Sequence, residues 1–134
     1  MSIKQVSARW TGEALKYVGI DSKGRQIEMG GDDGISPSQL LLLALAGCTG
    51  MDVVSILQKK RQQVTDVEVR VTGHQPDEYP KPYQVIEVAY IVKGNNIDTQ
   101  AVARAIDLSV AKYCIVSQTL QQPLQLKTSF IVEA

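Results

Sequence analysis

The sequence predicts a mixed fold in which strands and helices come in separate runs, assembled as a homodimer. Two observations carry this. The patterns along the chain run strands, one long helix, two strands, helices and a last strand. The stretch LLLLALAGC, residues 40–48, is apolar on every face of the helix it would form. A helix that is apolar all round must be buried all round, and one small sheet cannot cover both sides of it. A second copy of the chain is therefore expected against it.

Each element has its own signal. Residues 3–10 and 14–20 carry apolar residues in loose alternation and are expected as strands, joined to 25–29 through the turn DSKG. In that third strand Ile27 and Met29 are expected to face inward. GGDDG, residues 30–34, reads as a plain loop, because it lacks a phosphate-loop Lys and the spaced carboxylates of a calcium site. SPSQ, residues 36–39, starts the long helix: Ser36 can cap it, Pro37 suits the first turn, and Gln39 completes a capping box. The helix should run to about Lys60, where QKKRQQ places cations at its negative end. Residues 67–71 alternate strictly, and 83–93 are rich in β-branched residues, so both are strands. GHQPDEYPKP between them is a polar, proline-rich loop that holds the single histidine, His74. Asp98 or Asn96 can cap a helix from about Thr99. In it Val102, Ala105, Ile106, Ser109, Val110 and Tyr113 share a face. CIVSQTL, from Cys114, is a short helix, and residues 124–134 are expected as a closing strand.

At 134 residues the chain has the size of one domain, residues 1–134. Lys plus Arg equals Asp plus Glu at 14 each, so no net field attracts nucleic acid or an anionic membrane. The apolar run is about half of the roughly 20 residues a membrane span needs, and the first ten residues lack the order of a signal peptide. A cytoplasmic protein is expected, and there two cysteines are expected to be free or redox-cycling rather than a permanent staple. A lone histidine excludes a His-rich zinc site, and no dinucleotide, nucleotide or nucleophile-elbow motif is present. No metal and no bound cofactor are expected. The chemistry that remains is that of Cys48 and Cys114. Buried cysteine often acts as a small hydrophobe, so composition alone leaves a core role and a redox role both open.

Two segments carry a resemblance. ISPSQLLLLALAGCTGMDVVSIL resembles the central helix of the OsmC/Ohr family of hydroperoxide-resistance proteins, a proline-led apolar helix that reaches a Cys. AIDLSVAKYCIVSQTL resembles the family's second cysteine segment, and the order of elements matches over the whole chain. The resemblance implies an α+β, OsmC-like fold: antiparallel sheets around a long buried central helix, in an intertwined homodimer. It implies reduction of organic hydroperoxides, with Cys48 attacking, Cys114 resolving, and an external dithiol restoring both. The family supports its thiolate with a Glu near the helix start and an Arg from the preceding strands. The positions matching that Glu are Ser38 and Gln39, neither ionisable; Arg25 and Arg9 match the Arg by location only. Asp52 sits four residues after Cys48, on the same helix face. Its charge would disfavour the thiolate unless a cation such as Lys112, Arg104 or Arg25 pairs with it. The other reading of the same cleft is a non-catalytic dimer that holds a small hydrophobic ligand.

Overall fold

The alternation near the N-terminus produces a three-stranded antiparallel meander: β1 (Ser7–Trp10), β2 (Lys16–Ile20) and β3 (Gln26–Gly30), in that order. The structure is a computed structural model that describes residues 1–133, and its chain divides into two units, Met1–Leu43 and Ala44 onward. The meander belongs to the first. Its β2–β3 turn is held by the Asp21 carboxylate, which accepts the Lys23 and Arg25 backbone N–H groups at 2.9 Å each. Gly24 adopts φ +83°, a backbone conformation that favours glycine. The first strand starts four residues later than the sequence suggests, because residues 1–6 find no strand to pair with. Met29 is partly buried, whereas Ile27 keeps 43% of its surface exposed.

The long helix, α1 (Pro37–Lys59), begins as its capping signal requires, with the Gln39 N–H donated to Ser36 Oγ at 3.3 Å. Along it Leu45, Thr49, Val53 and Leu57 are buried, every fourth residue, which is one stripe on one face. The expectation of burial all round is not met within one chain: Leu41 and Leu43 stay exposed, as does Met51. The whole helix, rather than its apolar first half, is long and apolar enough to cross a membrane, and little of its most apolar stretch is buried.

In the second unit β4 (Gln63–His74) and β5 (Val85–Asn95) form a long antiparallel ribbon, with Gln63 opposite Asn95 and His74 opposite Val85. β4 runs past the expected 67–71 at both ends, because each strand satisfies the other's backbone groups, while β5 keeps its expected length shifted two residues later. His74 therefore lies at the end of β4 rather than in a loop, and its Nε2 meets Glu87 Oε1 at 2.9 Å. The core packs Val53 and Leu57 of α1 against Ala101 and Ala105 of α2 (Thr99–Leu108), edged by Val64, Tyr90 and Val92 of the ribbon. Asp98 caps α2, accepting the Gln100 N–H at 2.9 Å.

After Leu108 the helix widens into a π-turn (Ser109–Tyr113) that closes with the Cys114 N–H on the Ser109 carbonyl at 2.7 Å. The widening breaks the helical face expected through Tyr113, which is 51% exposed. Cys114 then caps α3 (Ile115–Leu120). The expected closing strand is not formed by residues 124–133, and residue 134 lies outside the described residues. Those ten residues stay exposed, with no strand paired to them.

Candidate functional site

Two elements bring the cysteines together. Cys48 sits on α1 and is half-buried; Cys114 sits at the junction of the π-turn and α3 and has no exposed surface. Both thiols are free, and Cys48 neighbours Cys114 closely enough to raise its pKa. Burial pushes the Cys114 thiol above its ordinary value of 9.0. The Ser117 N–H, which donates to Cys114 Sγ at 3.4 Å, pulls the other way, and the Cys48 thiol adds to the rise. A group so held stays a neutral thiol at pH 7.

Beside the thiols runs a chain of hydroxyl groups. Ser109 Oγ donates to Asp52 Oδ2 at 2.9 Å. Thr49 Oγ1 lies 2.8 Å from Ser109 Oγ and 2.7 Å from the Tyr90 hydroxyl. Thr49 and Ser109 are fully buried. Burial also raises the Tyr90 phenol above its ordinary value of 10.0. Every buried side-chain polar atom among the described residues has a partner.

Asp52 is therefore not balanced by any of the cations expected for it. Among the described residues its partner is the Ser109 hydroxyl. Lys112 lies over the Tyr113 ring, 5.3 Å from its centre, and Arg104 lines a polar recess with Lys60, Gln62 and Asp98. Arg25 donates through Nε to Asp21 at 2.8 Å, an i,i+4 pair within the meander turn. Lys112 and Arg25 engage neighbours close in sequence, which demands less ordering of the side chain than a distant partner would. Gln39 contributes its backbone N–H to the start of α1, and Arg9 lies on β1 opposite Val18. Thr49, Tyr90 and Ser109 escaped the sequence reading as polar members of a site. Their signal was a hydroxyl at a position where the apolar register calls for a core residue: Thr49 between Leu45 and Val53, and Ser109 after Ala101 and Ala105.

Two of the cavities lined by described residues are mainly apolar, and neither of these has a cysteine in its lining. One of about 550 Å³ follows α1 and β4 along Gly47, Gly50, Met51, Val54, Val67 and Val69. The other, of about 470 Å³, lies on the meander along Val6, Ala8, Ile20, Ile27 and Met29.

Strands and helices in separate runs, with one free cysteine on the long helix and another just after the π-turn, define a two-cysteine protein of the α+β class. The chain belongs to the OsmC-like protein family, whose model matches residues 30–129. Among its relatives, Protein YhfA of Escherichia coli K12 is 41% identical over 133 residues, covering 97% of this chain and 98% of that one. A hypothetical protein from Aquifex aeolicus VF5, known from a crystal structure, is 34% identical with a TM-score of 0.77 over 90% of this chain and 89% of that one. The organic hydroperoxide resistance protein OhrB of Bacillus subtilis shares the fold at 16% identity, with a TM-score of 0.57 over 90% of this chain and 91% of that one. The resemblance read from the sequence is thus borne out for the family and for an α+β, OsmC-like fold with antiparallel sheets.

Proposed function

We propose that the chain is a thiol-dependent peroxidase that reduces organic hydroperoxides through Cys48 and Cys114, working as a homodimer. The observation that supports this reading is the closeness of two free thiols, one half-buried on α1 and the other, at the end of the π-turn, fully buried and raised by its neighbour. The Cys48 thiolate attacks a peroxide oxygen and the O–O bond breaks. The alkoxide takes a proton and leaves as an alcohol, and Cys48 becomes a sulfenic acid. The Cys114 sulfur then displaces the hydroxyl, which leaves as water with the Cys114 proton, and a disulfide forms. An external dithiol supplies two electrons, restores both thiols and is itself oxidised to a disulfide. No cofactor enters any step.

The homodimer has its own support. Leu43 is 54% exposed and Met51 73% exposed on α1, and the unpaired C-terminal segment leaves Phe130 88% exposed. Exposed apolar residues on one helix and one terminal segment support an interface there. A partner chain of the same fold, in an intertwined single-domain arrangement, gives both α1 and the terminal segments a cover. A cytoplasmic setting keeps the thiols reduced between turnovers.

The test is oxidation of the purified protein by cumene hydroperoxide, with free thiols counted before and after. Loss of both thiols together, with an intrachain Cys48–Cys114 disulfide on peptide mapping, is expected, and Cys114→Ser should accumulate over-oxidised Cys48. Both thiols intact after excess hydroperoxide would sink the reading. It would favour a dimer that holds a small hydrophobic ligand, a reading that gains from Asp52 having the Ser109 hydroxyl as its partner among the described residues.

A further inference from the structure

The proton count of the hydroxyl chain fixes its direction. An ionised carboxylate only accepts, and each hydroxyl has one proton to donate. Ser109 donates to Asp52, so its oxygen accepts from Thr49; Thr49 is then committed to Ser109, so its oxygen accepts from Tyr90. Three hydroxyls on three elements are thus ordered toward one charge. Cooperative chains of this kind are stiff, because reversing one member breaks the next.

Ser109 is where that chain meets the cysteines. Its side chain is held by Thr49 and Asp52 of α1, the residues one and four positions after Cys48. Its carbonyl accepts the Cys114 N–H at 2.7 Å. The π-turn takes that N–H away from the Val110 carbonyl, which ordinary helix geometry would pair with it. Ser117 Oγ at 3.2 Å and Gln118 Nε2 at 2.6 Å donate to Val110 instead. The turn is therefore tied on one side to the helix face of Cys48 and on the other to α3.

We propose that Asp52, Thr49 and Ser109 are positioning residues for the disulfide-forming step, holding the turn that carries Cys114 in register with the helix face that carries Cys48. The role rests on the peroxidase reading for its use in turnover, but the alignment itself is a property of the thiol pair. It acts as a raised effective concentration of one thiol at the other. Asp52, which would oppose the thiolate as a bare charge, is here the anchor of the chain.

The experiment is equilibrium oxidation of the full-length protein in buffers of reduced and oxidised dithiothreitol. There two electrons pass from the Cys48–Cys114 pair to the reagent and no peroxide takes part. Thr49→Val keeps the shape and removes the hydroxyl; it should lower the effective concentration of the pair by about tenfold or more, and Ser109→Ala should do the same. Thr49→Ser keeps the hydroxyl and should stay within about twofold of wild type. Loss of stability alone would move the unfolding midpoint and leave this equilibrium where it is. Equal effective concentrations in wild type, Thr49→Val and Thr49→Ser would overturn the proposal, as would a wild type that forms no Cys48–Cys114 disulfide. If Ser109→Ala does not fold, the near-isosteric Thr49→Val decides. A wild type that bridges readily here yet ignores cumene hydroperoxide refutes the peroxidase reading and leaves the positioning role standing.

Discussion

Cys114 has no exposed surface while Cys48 is half-buried, and burial holds the Cys114 thiol above its ordinary range. Alkylation needs both access and the thiolate. Iodoacetamide at pH 7 should therefore label Cys48 first, by about tenfold or more in rate; peptide mapping that finds Cys114 labelled first would contradict the geometry. The same shift bears on stability. A raised folded-state value means the folded protein holds its proton where the unfolded chain has released it. Stability then falls as pH rises above the unfolded thiol value of about 9.0. The Tyr90 phenol, raised from 10.0 mainly by burial, adds to the fall higher up. Urea unfolding at pH 8 and pH 10 should show a loss of stability in wild type that is smaller in Cys114→Ser. An equal loss in both would remove Cys114 from the account.

Elements were legible wherever a local signal sufficed. The bounds of α1 follow from Ser36, Pro37 and the closing cations, and the start of α2 follows from Asp98. The ribbon was legible in kind, and β5 in length, but β4 extends past its alternating segment because β5 continues beside it. The π-turn left no trace in the pattern: it is set by the Ser109 carbonyl and the side chains that replace the lost helix bond at Val110. The hydroxyl chain was hidden for the same reason, since Thr49, Tyr90 and Ser109 meet only in three dimensions. Two element-scale outcomes check this account. Asp98→Ala removes the α2 cap and should cost about 1 kcal/mol, read by urea denaturation. Leu57→Ala, at a fully buried position of α1, should cost about 2–5 kcal/mol by the same measurement. A cost for Leu57→Ala as small as for the cap would mean that the helix does not pack on α2 as described.

At the scale of the whole molecule the unanswered demand is cover for apolar surface. Along α1 the stripe Leu45, Thr49, Val53 and Leu57 is buried, while Leu41, Leu43 and Met51 are not. Beyond α3, Leu124, Leu126, Phe130, Ile131 and Val132 are all exposed on a segment with no strand beside it. Patches of this size on a lone chain favour association. The proposed homodimer makes an outcome that a monomer does not share. On a lone chain Leu43 is 54% exposed, and a carboxylate there keeps its water; Leu43→Asp would cost little. Within an interface the same carboxylate loses its water without gaining a partner, a cost of several kcal/mol. Leu43→Asp should therefore dissociate or precipitate the protein, while wild type sediments as a folded dimer at micromolar concentration. A wild-type monomer, or a Leu43→Asp variant as soluble and as associated as its parent, would refute the dimer and leave the exposed face of α1 in need of a different cover.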